Sequence, residues 1–70
     1  MIKVTGIIKY QDIGVGVWIL ISESGETYEL YKPSEAIRKK DLKVTVEGKI
    51  RDDIMSIAMV GKILEIVSVL

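Results

Sequence analysis

The chain contains no cysteine and no histidine. The first absence excludes a disulfide and a thiolate metal site. The second removes the commonest metal ligand and the usual acid–base group at neutral pH. There is no phenylalanine and only one proline, Pro33. No run approaches the ~18 apolar residues of a membrane helix. The most apolar stretch, 54–70, is broken by Gly61, Lys62 and Glu65. Neither sign of charge prevails, with 10 Lys and Arg against 10 Asp and Glu. The basic excess of a dedicated nucleic-acid protein is therefore missing, and only a local patch could serve. Met1 to Thr5 alternates as a strand does, without the apolar segment and cleavage site of a signal peptide. The expectation is a cytoplasmic protein that engages neither membrane nor metal and carries no cofactor.

What is present fits one domain spanning 1–70. A chain this short buries only roughly 60% of the surface its unfolded form exposes. Without disulfide or metal, regular packing and association are the remaining sources of stability. The apolar share is 49%, rich in Ile and Val, and the charged share is 29%. That balance suits a packed core under a solvated surface and not a disordered chain.

Periodicity predicts five strands. Ile2 to Tyr10 alternates, with Ile2, Val4, Ile8 and Tyr10 on one face, Lys3, Thr5 and Lys9 on the other, and Gly6 at a bend. Val15 to Ser22 is apolar on both faces: Val15, Val17, Ile19 and Ile21 form one row, Trp18 and Leu20 the other. Glu23 to Glu26 reads as a tight hairpin turn around Gly25. Thr27 to Lys32 returns. Leu42 to Arg51 alternates cleanly, Asp52 and Asp53 form a turn, and Ile54 to Val60 reads as strand again. A bulge is expected at Gly61 and Lys62, where the apolar register shifts from Ile57 and Met59 to Leu64 and Ile66. Between the third and fourth strands, Pro33 ends the strand and Ser34 and Glu35 suit a helix start. Arg38, Lys39 and Lys40 suit its last turn. One to two helical turns are expected there. The predicted core is Val4, Leu20, Leu30, Val44, Val46, Ile57 and Leu64.

Five short strands with a short helix between strands 3 and 4 define an all-β, OB-like Greek-key barrel. An SH3-like barrel is the alternative, although its helical turn usually precedes the last strand alone. The segments Gly16-Val17-Trp18-Ile19-Leu20, Gly25-Glu26-Thr27-Tyr28-Glu29-Leu30, Val44-Thr45-Val46-Glu47-Gly48 and Ser56 to Ile66 also resemble a family of very small, mostly uncharacterised OB-fold-like proteins. The resemblance covers almost the whole chain. It implies a five-stranded barrel and says almost nothing of function, since fold does not imply function.

No catalytic pattern stands out. Asp52 and Asp53 are adjacent in a turn, where neighbours usually point apart, whereas paired carboxylate catalysis needs convergence. There is no phosphate loop and no dinucleotide fingerprint. The expectation is a non-enzymatic binding module. Its first candidate ligand is single-stranded nucleic acid, bound weakly by stacking and phosphate contacts at Tyr31, Lys32, Lys49, Arg51 and Trp18. Trp18 has two readings, as barrel filling or as a stacking platform. The second candidate is a homodimer or accessory protein contact through Val17, Ile19 and Ile21, if that row faces outward.

Overall fold

A computed structural model describes residues 1–12, 16–56 and 59–70. It contains five strands: β1 (Ile2–Gln11), β2 (Val17–Ser22), β3 (Thr27–Tyr31), β4 (Lys43–Ile50) and β5 (Lys62–Val69). Their order is β1-β2-β3-β5-β4, and the sheet returns from β4 to β1 as a closed barrel. All neighbours are antiparallel except β3 and β5, which run parallel.

β1 is long because it serves two partners. Residues 2–7 pair with β4 and residues 6–11 with β2. Gly6 belongs to both ladders, and a Cβ there would collide with the carbonyl of Ile21. The turn from β2 to β3 occupies residues 23–26, with Gly25 at φ 92°. This is the hairpin that the sequence predicts.

One core fills the interior. Val4, Ile8, Leu20, Tyr28, Leu30, Ile37, Val44, Val46 and Leu64 form it, with Trp18, Leu42, Ile50 and Ile66 packed against it. Six of the seven expected core residues are buried there; Ile57 lies outside the described residues, as does Val15 of the expected second strand. Burial of a side chain of this size contributes roughly 1.5–3 kcal/mol, so this cluster is the main favourable term in folding.

Three expectations need correction. First, the fold class included a helix between strands 3 and 4, and no helix forms among the described residues. Segment 33–42 is a chain of turns. Ile37 N donates to Ser34 O at 3.2 Å, Arg38 N to Glu35 O at 3.3 Å, and Lys39 N to Ile37 O at 2.8 Å. These are short-range bonds without the i to i−4 pattern of an α-helix. A single turn cannot offset the cost of helix nucleation. What orders the segment is the burial of Ile37. Second, Ile54 to Ser56 and Met59 to Gly61 are not strand. Third, the irregularity in the sheet lies not at Gly61 and Lys62 but between Glu47 and Gly48, where β5 shifts register. Among the described residues no helix is long and apolar enough to cross a membrane.

Candidate functional site

β2 and β3 carry most of the expected site, and alternation decides which face each residue takes. Leu20, Trp18, Tyr28 and Leu30 face the core. Val17, Ile19, Glu29 and Tyr31 therefore lie on the outer face. Val17 and Ile19 are nevertheless only 8% and 2% exposed. The β4–β5 connection accounts for this. Ile54 and Met55 border one groove with Val17, Tyr31 and Ile63. Ser56 donates its hydroxyl hydrogen to Glu29 Oε1, and Glu29 itself is buried. The proposed contact row of Val17, Ile19 and Ile21 is thus not an open stripe: Val17 and Ile19 are covered by their own chain, and Ile21 is half-buried. Both apolar rows of β2 can be buried at once, because one fills the interior and the other is roofed.

Tyr31 ends β3 half-buried, and two cations flank its ring. Lys32 Nζ lies 5.4 Å from the ring centroid and Arg51 Cζ lies 5.5 Å from it. Lys32 adopts φ 47°, a left-handed conformation uncommon for a residue with a side chain. That turn sends the chain away from the sheet and leaves the lysine beside the preceding ring.

Arg51 is otherwise engaged. Its Nε and Nη2 reach the two carboxylate oxygens of Asp53 at 2.9 and 2.8 Å, and its Nη1 reaches Glu65 Oε1 at 2.8 Å. Those bonds, first to Asp53 and then to Glu65, raise its pKa above the ordinary arginine value. The reciprocal bond from Arg51 holds the Asp53 carboxyl down at about 2. With two carboxylates attached, Arg51 is a pin between the connection and β5 and a poor phosphate ligand. Lys49 is exposed, and Glu65 stands in register between it and Tyr31. It is therefore separated from the Tyr31 and Lys32 pair by a carboxylate.

Trp18 is half-buried against the core, so its two readings are not exclusive. Its ring sits 4.9 Å from that of Tyr10, tilted by 60°. The two residues are cross-strand partners in the β1–β2 ladder. Tyr10 leans over Gly16, where a Cβ would strike its hydroxyl. On the other side Lys40 Nζ lies 5.8 Å from the Tyr10 ring centroid. Trp18 borders two depressions of about 280 Å³ each. One is lined by Trp18, Glu35 and Arg38. The other is the groove of Tyr31, Lys32, Ile54 and Met55.

The structure thus brings Trp18, Tyr31 and Lys32 to one groove, places Arg51 at its edge with its charge occupied, and leaves Lys49 apart. The sequence offers Tyr10 as one of four aromatics and Arg38 to Lys40 as a basic run, but it reads the run as a solvated helix end and selects none of them for the site. The Tyr10–Trp18 contact follows from pairing the first two strands in register. Read as the last turn of a helix, Arg38 and Lys40 carry no signal that places them beside Trp18 and Tyr10. Chemically, the rings can stack on planar groups and the cations can meet anions. Among the described residues no cluster of three or more acidic groups could hold a metal ion.

No protein-family model matches the chain, and no match was found among curated proteins or solved structures. Membership of the OB-fold-like family suggested by the quoted segments does not stand. No family model, curated protein or solved structure supports it.

Proposed function

We propose that this chain is a non-enzymatic cytoplasmic binding module that takes a short stretch of single-stranded nucleic acid across Tyr31, Trp18 and Tyr10. The observation that carries this reading is the position of Trp18. It borders both depressions, stands against Tyr10, and has Lys32 and Arg38 at the two rims. Bases stack on aromatic side chains for roughly 1–3 kcal/mol each, with little regard for sequence. Lys32, Arg38 and Lys40 then supply the phosphate contacts. Arg38 is only loosely held, with Nη2 3.5 Å from Glu35 Oε1, and its side chain is 42% exposed. Zero net charge makes the binding weak and strongly dependent on salt. The cytoplasmic address is supported by a fold that relies on packing with no disulfide.

The test is an amide and indole shift titration with a ten-nucleotide oligothymidine and an oligouridine at low salt. Shifts should concentrate on Trp18, Tyr31, Lys32 and Arg38 and fade as salt rises. A Lys32→Glu, Arg38→Glu double variant should weaken binding about ten-fold or more, since two charge contacts are reversed. Unmoved resonances at millimolar oligonucleotide would refute the reading.

A further inference from the structure

We infer that the depression beside Trp18 selects guanine among the bases of a single strand, and that Glu35 is the residue that reads it. The inference rests on the nucleic-acid reading above and adds the base that the site prefers. It begins with a carboxylate that the reading leaves unused. Trp18, Glu35 and Arg38 line a depression of about 280 Å³. The Glu35 side chain is 92% exposed, and the one charged group paired with it is Arg38 Nη2 at 3.5 Å. An exposed pair of this kind adds little to stability. The fold therefore has small need of the carboxylate, and a passing phosphate is repelled by it. A negative charge in that position favours a ligand only where it meets hydrogen-bond donors.

The turns between β3 and β4 set Glu35 in place. Arg38 N donates to Glu35 O at 3.3 Å, and the buried Ile37 between the two residues fastens the turn to the core. Glu35 and Arg38 are thus held at the wall of the same depression as the half-buried indole. Tyr10 packs 4.9 Å from the Trp18 ring, with Lys40 beside it. Arg38 and Lys40 supply positive charge for the strand's backbone, and Glu35 is the acid that a base on Trp18 meets.

The bases differ in what they offer a carboxylate, which accepts hydrogen bonds through two oxygens and donates none. Single-stranded bases are read on their Watson–Crick and Hoogsteen edges once they are stacked on an aromatic ring. On the Watson–Crick edge thymine and uracil present one N–H between two carbonyl oxygens. Adenine and cytosine each present an amino group beside an unprotonated ring nitrogen. In all four, one oxygen of a bidentate carboxylate would face a lone pair. Guanine alone presents two adjacent donors, N1–H and the N2 amino group. A carboxylate can accept from both at once, in the paired geometry that makes charge-assisted bonds strong. A bidentate contact to a base favours it by about ten-fold over a mismatched one.

Trp18 is the chain's single tryptophan, so its fluorescence reports a base stacked at this depression. The titration uses a ten-nucleotide oligothymidine and the same strand with its fifth base replaced by guanine, by hypoxanthine or by adenine. Guanine should tighten binding about ten-fold over oligothymidine. Hypoxanthine, which lacks the N2 amino group, should lose most of that gain, and adenine should show none. Glu35→Gln should remove the guanine preference and strengthen oligothymidine binding, because a negative charge leaves the path of the phosphates. Equal affinities for the four strands, with oligothymidine still bound, would overturn the inference and leave the nucleic-acid reading standing. So would a guanine preference kept by Glu35→Gln, or a variant that weakens all four strands alike. Failure of every strand to bind would overturn both.

Discussion

Ser56 donates its hydroxyl hydrogen to Glu29 Oε1, and this bond fastens the β4–β5 connection over the outer face of β3. The same Ser56 Oγ accepts from Met59 N at 2.7 Å. One hydroxyl thus serves a buried carboxylate and the backbone of the segment that roofs Val17 and Ile19.

Ser56→Ala should therefore act on the roof first. Glu29 loses a partner while remaining buried, which costs about 1–3 kcal/mol. Urea denaturation should show a lower midpoint, and hydrogen exchange at the Ile19 and Ile63 amides should quicken. An unchanged midpoint with unchanged exchange would mean the roof is held without this bond.

Ile37→Ala tests what orders the segment between β3 and β4. Ile37 is fully buried within the core cluster. Its truncation should cost about 2–5 kcal/mol. Total stability for a domain of this size is on the order of 5 kcal/mol, so the variant should sit close to unfolding at room temperature. Arg38→Ala, one residue on and exposed, should change stability by less than about 0.5 kcal/mol. Equal effects from the two would show that the turns, and not the buried isoleucine, hold the segment.

Acid should weaken the fold within a defined window. Asp53 is depressed to about 2 by the bond from Arg51. Asp41 is lowered by the bond from Lys9. An unfolded aspartate titrates near ~3.9. A group with a depressed folded pKa contributes stability that is complete above the unfolded value and lost as pH falls through the folded one. The thermal midpoint should therefore drop between about pH 4 and pH 2. The drop should shrink in high salt, because both carboxylates are exposed and screened. Asp53→Asn should flatten part of that limb. A curve parallel to that of the unaltered chain would place Asp53 away from Arg51 in solution.

The strands were legible because each buries one face and alternates accordingly, and β1 and β4 show this most plainly in Val4, Ile8, Val44 and Val46. The second strand was legible as apolar on both sides, but its cover was not. Ile54 to Val60 has strand-like composition, and nothing local distinguishes a strand from a segment laid across a sheet. The turn residues Ser34, Glu35 and Arg38 to Lys40 misled for a related reason. The groups that cap a helix also satisfy isolated turns, and the burial of Ile37 that separates the two outcomes is a long-range fact. The candidate site shows the same division. Tyr31 and Lys32 are neighbours in the chain and could be paired by reading. Trp18 with Arg38, or Arg51 with Glu65, meet only through the folded sheet.

Lys32→Gly separates stability from ligand binding at the candidate site. Lys32 holds φ 47°, a left-handed conformation that costs a residue with a Cβ roughly 1–2 kcal/mol. Glycine relieves that strain but loses about 0.5–1 kcal/mol more through the freedom of its unfolded chain. The sum is a fold unchanged or stabilised by up to about 1.5 kcal/mol. The same substitution removes the ammonium that sits 5.4 Å from the Tyr31 ring centroid. Oligonucleotide affinity at low salt should fall several-fold, and the slope of log affinity against log salt should shrink by about 0.7 for the one lost contact to a single strand. Chemical denaturation and the salt series can be run on the same sample. Stability maintained with affinity reduced is the expected pair of results. Unchanged affinity and salt slope would remove Lys32 from the binding surface, and a loss of stability would mean that its side chain, and not the turn, holds the end of β3 in place.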